Sequence, residues 1–185
     1  MEPEILTHPN IPKPLHGLNP RTLLGKEWWD TTRFKAQEDY NFCCAACGTP
    51  KLQTKGPKWL EGHEYFTINY ETGICEVEKI VPLCHYCHNF IHSGRLSMIM
   101  NKEKTVDEVK LILQHGFDIL HNHNLKAFPS TLQFANQLNV NTYNIKSAVV
   151  PQSNLNWSDW KLKLNDTLYD SKFKSYDDWL SFYQR

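Results

Sequence analysis

The chain has 185 residues, six of them cysteine and nine histidine, and its 20 basic residues balance 20 acidic ones. That length suits one decorated domain or a small core with flanking segments, and a hydrophobic fraction of 41% is that of a globular chain. No apolar run approaches the roughly 18 residues needed to span a bilayer, zero net charge argues against a protein that coats nucleic acid through phosphate contacts alone, and the N-terminus lacks the apolar stretch of a secretory leader, so the expected setting is the cytoplasm, away from membranes.

Residues 1–20 carry Pro3, Pro9, Pro12, Pro14 and Pro20. Proline fixes φ and removes backbone donors, so an extended arm is expected. Residues 21–40 read as a helix with Leu24, Trp28 and Ala36 on one face, and the Trp28-Trp29 pair should bury at least one indole. Cys44-Ala45-Ala46-Cys47-Gly48 forms a tight turn, and residues 51–58, with Gly56 and Pro57, form a loop. Residues 59–69 are rich in aromatic and β-branched side chains and read as a strand. Asn69 to Gly73 is turn chemistry, and residues 74–81 return as a second strand that Pro82 should end. A second Cys-x2-Cys follows in Cys84-His85-Tyr86-Cys87-His88, opening a helix over about residues 85–94.

Residues 105–121 predict another helix, with Thr105 as N-cap, Glu108 completing a capping box, and Val109, Ile112, Leu113, Phe117 and Leu120 as the apolar face. Residues 124–156 are polar and weakly periodic, with a short helix hinted near Phe134 and Leu138. Residues 160–164 alternate as a strand, and residues 176–183 end the chain in an aromatic helix. Trp157, Trp160, Trp179, Phe182 and Tyr183 are expected to form a small satellite core rather than a platform for stacking bases. The expected class is α+β: a small zinc-bound hairpin-plus-helix core over residues 43–96. An arm and helix precede it (1–42), and a mainly helical extension with a small terminal strand–helix unit follows it (97–185).

Two groups of residues carry chemistry. Cys44, Cys47, Cys84 and Cys87 lie in turns that flank the predicted hairpin, so all four can converge on one structural Zn²⁺. Cys43 could replace Cys44 only at a less usual spacing. Cys75 has no partner and reads as a small buried hydrophobe. The second group is His63, Glu64, His88 and His92. His88 and His92 are i and i+4 and share a helix face, whereas His63 and Glu64 are neighbours on a strand and point to opposite faces. His85 and Tyr86 read as exposed helix surface, and His115, His121 and His123 as histidines without a metal role. Lys51, Lys55, Lys58, Arg95, Lys102 and Lys104 are candidate phosphate contacts, each competing with an ordinary solvated surface role.

The quoted motifs are Cys44-Ala-Ala-Cys47-Gly48, Leu60-Glu-Gly-His63-Glu64 and Leu83-Cys84-His-Tyr-Cys87-His88-x3-His92. Together they resemble the HNH endonucleases with a ββα-metal site, over about residues 43–96. The resemblance implies hydrolysis of DNA phosphodiester bonds, cutting one strand or both, with a phage, mobile-element or restriction origin. It implies a catalytic divalent cation (Mg²⁺, Mn²⁺, Ni²⁺ or Zn²⁺) at His63, His88 and His92. His63, Glu64 and His88 become the catalytic residues, and either His63 or Glu64 is the general base, according to register. Lys79 stands where that family carries an orienting Asn; it and Arg95 are candidate substrate contacts. The alternative is a catalytically weakened, zinc-stabilised module that binds nucleic acid or a protein partner through its flanks.

Overall fold

The computed structural model describes residues 1–183. The architecture is α+β, with six α-helices and a four-stranded sheet among the described residues. In chain order the elements are α1 (Pro20–Asp39), β1 (Leu60–Asn69), β2 (Ile74–Cys84), α2 (His85–Ile91), α3 (Ser93–Ile99), α4 (Val106–Asn122), α5 (Pro129–Gln137), β3 (Lys161–Leu164), β4 (Thr167–Asp170) and α6 (Tyr176–Tyr183). The chain divides into two compact units, each gathering distant segments: one takes residues 1–8, 36–63 and 81–150, the other residues 9–35, 64–80 and those from 151 onward.

The first unit is organised around α4. The Thr105 hydroxyl accepts from the Glu108 amide (3.2 Å), and a Glu108 carboxylate oxygen accepts from the Thr105 amide (2.8 Å). This satisfies two of the donors a helix start leaves open. One face of α4 then buries Val109, Ile112, Leu113, Phe117 and Leu120 completely, or nearly so. Helix α2 packs against that face. Phe90 meets Phe117 edge to face, with ring centroids 5.3 Å apart, and the approach works because residue 116 is glycine: a Cβ there would stand 2.1 Å from the Phe90 ring. Helix α3 packs on α5, where the Ser93 and Thr131 hydroxyls lie 2.8 Å apart.

The strands run in the order β1-β2-β3-β4, with residues 64–69 of β1 and 74–80 of β2 in the second unit. Residues 74–76 of β2 pair in parallel with residues 161–163 of β3, and β3 pairs antiparallel with β4. Asn165 and Asp166 both take left-handed φ (48° and 61°), as a two-residue hairpin turn demands. Between β1 and β2, the Asn69 side-chain oxygen accepts from the amides of Glu71 and Thr72, and Gly73 turns back at φ 74°. Leu15, Phe66, Cys75, Trp160 and Leu162 form this unit's core.

Several expectations need correction. The N-terminal segment is not simply extended. It folds into 3-10 helices at Pro3–Thr7 and Lys13–Leu15 and buries Ile5, Leu6 and Leu15, because a proline in the first turn lacks only a donor that the turn would leave unpaired. Helix α1 is interrupted at Gly25 (φ 86°, ψ 169°), and both Trp28 and Trp29 are half-buried. Pro82 does not end β2, which continues to Cys84; the Pro82 carbonyl accepts from the Ala45 amide at 2.8 Å, and its missing N–H breaks no such bond. Of the five aromatics assigned to a satellite core, Trp160 is buried, Trp157 and Trp179 are half-buried, and Phe182 and Tyr183 are exposed. No helix among the described residues is long and apolar enough to cross a membrane.

Overpacking at the α2–α4 contact should be costly. Gly116→Ala is expected to lower unfolding free energy by about 1–3 kcal/mol or more, read as a lower denaturation midpoint in urea. An unchanged midpoint would show that α2 is not seated through Phe90.

Candidate metal centre

Two turns bring four sulfurs together. In the first, the Cys44 amide donates to Thr49 O (3.0 Å), and the Gly48 amide donates to Cys44 O (2.8 Å) with Gly48 at φ 69°. In the second, Cys84 caps α2, and its sulfur accepts from the Cys87 amide at 3.5 Å. The sulfurs of Cys44, Cys47, Cys84 and Cys87 all lie within 4.8 Å of one another. Those of Cys47 and Cys84 are 3.9 Å apart. Four thiolates on a tetrahedral Zn²⁺ at about 2.3 Å require edges of about 3.8 Å, so the pocket has the dimensions of a zinc shell. Each of the six cysteines is a free thiol.

Charge supports the same conclusion. Hydrogen bonds from Cys44, Cys84 and Cys87 hold the Cys47 thiol well below its ordinary value, whereas Cys84 and Cys87 are pushed up, first by Cys44 and then by Cys47. Four sulfurs in one buried pocket cannot all ionise unless a cation offsets their repulsion. Around them, Thr49 Oγ1 lies 3.2 Å from Cys47 Sγ, and His115 Nε2 lies 3.4 Å from Cys87 Sγ.

The same helix carries a second group. His63, on β1, is only 3% exposed, and neither ring nitrogen has a hydrogen-bond partner. Burying an imidazole with both nitrogens idle is costly unless something else engages them. Its ring centroid lies 5.5 Å from that of His88 and 5.1 Å from that of His92, and those two are 4.7 Å apart. One nitrogen from each can sit within 4.8 Å of the others. Helix α2 stops at Ile91, yet the His92 amide still donates to His88 O at 3.2 Å, which keeps the two side chains one turn apart. Burial lowers the pKa of His63 well below the usual value, with the charges of His88, His92 and His8 adding to the effect. Burial, then the charges of His88 and Arg95, lowers that of His92 to about 4. All three imidazole donors are the kind that bind a first-row divalent ion, and three protein ligands leave a coordination position open.

A carboxylate missing from the sequence reading completes this region. Glu61 places one oxygen 2.8 Å from His85 Nδ1 and the other 2.8 Å from His88 Nδ1. Burial would raise its carboxyl, but the hydrogen bonds from His85 and His88 outweigh that and hold it well below the usual carboxylate range. Glu61 lies two residues before His63 on a strand, so a period of two was the signal that could have found it. His85, read as exposed surface, is instead half-buried: Lys104 Nζ lies 3.0 Å from its Nε2, and the Asn89 amide donates to its carbonyl at 2.8 Å. His115, read as having no metal role, lies beside the cysteine cluster; no local pattern announces a contact 28 residues apart. His8 lies edge-on to His63, 5.9 Å between centroids.

The remaining candidates stand outside both groups. Glu64 follows His63 on β1, is half-buried and does not join the three histidines. Arg95 is exposed on α3, and its charge acts on His92. Lys79 is exposed on β2, with its ammonium 5.3 Å from the Tyr65 ring centroid. His121 stacks on Tyr143 at 4.3 Å. Cys75 is fully buried and its thiol is pushed up to about 12 by burial. Comparison with protein-family models, with curated proteins and with solved structures finds no match.

Two outcomes follow. Cys84→Ser should abolish tight zinc retention through chelator dialysis and lower stability by about 3 kcal/mol or more, as metal analysis and denaturation will read. Cys75, with its pKa about 12, stays protonated at pH 8. Iodoacetamide at that pH should therefore label half-buried Cys43 and leave Cys75 unmodified in the folded protein, with mass spectrometry of the peptides as the measurement.

Proposed function

We propose that the chain is a metal-dependent DNA endonuclease of the HNH kind, in which a structural zinc holds the frame and a second, exchangeable divalent cation serves catalysis. The observation that carries this reading is His63. It is buried, both its ring nitrogens are unpartnered, and it faces His88 and His92 on the helix that also supplies Cys84 and Cys87. A purely structural protein has one way to use four cysteines and little reason to bury His63 against two further half-buried donors beside them.

His63, His88 and His92 would hold the cation. When bound, it would supply charge stabilisation at the scissile phosphate and the departing 3′ oxygen. His63 stays neutral through burial, as a ligand must. Arg95 is the cation of this group nearest to a role on phosphate, because its side chain is exposed and its field reaches His92. DNA is the proposed partner, and the chain's overall neutrality makes the cation and such local charges responsible for holding a polyanion.

Supercoiled plasmid incubated with the zinc-loaded protein and Mg²⁺, Mn²⁺ or Ni²⁺ should be nicked or linearised. His63→Ala and His88→Ala should each reduce the rate about a hundredfold or more while leaving one zinc per chain. No cleavage of duplex DNA, single strands or RNA with any of these ions would overturn the enzyme reading and leave the zinc-stabilised binding module in its place.

A further inference from the structure

Glu61 touches two imidazoles at once, and its contacts extend to Lys104 on the far side of His85. Each link has a definite polarity. Lys104 carries only donors, so His85 Nε2, 3.0 Å from its ammonium, accepts. A neutral imidazole that accepts on Nε2 carries its proton on Nδ1, and His85 Nδ1 therefore donates to Glu61 Oε1 at 2.8 Å. An ionised carboxylate has only acceptors, so His88 Nδ1, 2.8 Å from Glu61 Oε2, also donates. That leaves Nε2 as the nitrogen of His88 with a lone pair for another partner.

We infer that Glu61 is a positioning residue: backed by His85 and Lys104, it holds His88 as the Nδ1-protonated tautomer and aims Nε2 at the cation. The inference rests on reading the three histidines as a cation site, and it does not require that site to cut DNA. Its logic is the general one by which an outer carboxylate orients a metal-binding histidine and makes it more basic. The surrounding packing suits that task. Asn89 is buried, and its amide donates to the His85 carbonyl at 2.8 Å and lies 3.3 Å from both ring nitrogens, which keeps the His85 ring in place.

Glu61→Gln makes a distinctive disturbance. Lys104 still forces His85 to donate through Nδ1, so His85 takes the one amide oxygen. The amide NH₂ then faces His88 Nδ1, which must accept, and the proton moves to the nitrogen that would bind metal. Adding Lys104→Met removes that compulsion, lets His85 turn its own tautomer over, and returns the amide oxygen to His88. A role in packing alone predicts no such recovery.

The experiment combines ¹⁵N–¹H long-range correlation spectra of the imidazoles, with zinc loaded at the cysteines, and a Ni²⁺ calorimetric titration of the same samples. The expected results are Nδ1-protonated His88 in the wild type, Nε2-protonated His88 with Ni²⁺ affinity about 10–100-fold weaker in Glu61→Gln, and partial recovery of both in the double variant. Zinc content should remain one per chain throughout. An Nε2-protonated His88 in the wild type overturns the inference without any variant having to fold. So does a Glu61→Gln protein that binds Ni²⁺ within about twofold of wild type. A wild-type protein that takes up no second ion overturns the cation site itself, and the inference with it.

Discussion

Four sulfurs gathered within 4.8 Å of one another are the constraint on which the first unit depends. Cys44 and Cys47 come from a glycine-closed turn, and Cys84 and Cys87 from the cap and first turn of α2. Thirty-seven residues separate Cys47 from Cys84. Ordering that much chain carries a large entropic cost, and one ion bound by all four thiolates can offset it. Because Cys84 is also the N-cap of α2, an ion held by the four sulfurs would fix where the helix begins and therefore where His88 and His92 project.

The second constraint is the seat of α2 on α4. Phe90 fits over Gly116 and against Phe117, while Ile5 and Leu6 of the N-terminal 3-10 helix are buried in the same unit. Rigid support of this kind matters more than the number of contacts, since three imidazole nitrogens must stay within a few tenths of an ångström of a workable arrangement to share an ion. The histidine group is thus held on one side by a strand and on the other by a helix that starts at the cysteine cluster and is seated on α4.

Much of this was legible in the chain. The two Cys-x2-Cys turns, the hairpin between them, the i, i+4 histidines and the Thr105–Glu108 box are local patterns, and local patterns survive folding because the spacing alone determines which side chains share a face or a turn. What could not be read was tertiary. Nothing near His115 in sequence points to Cys87, and nothing near Lys104 points to His85. The proline-rich start misled because prolines were counted as breakers, when each of the first two short helices simply places one in its first turn. Pro82 misled for a related reason: a strand tolerates proline where its carbonyl is used and its absent donor is not missed. Glu61 was within reach, two residues from His63 on the same strand face, but a carboxylate at that spacing gains meaning only once His85 and His88 are known to meet it.

The central claim is that the cysteines and histidines form two separate ion sites, one built of sulfur and one of imidazole. X-ray absorption at the zinc edge, on protein dialysed against a strong chelator, addresses it directly. A single retained zinc with four sulfur neighbours at about 2.3 Å, and nitrogen neighbours only after a second equivalent is added, is the predicted result. A first equivalent with mixed sulfur and nitrogen neighbours, or complete loss of zinc to the chelator, would contradict the account.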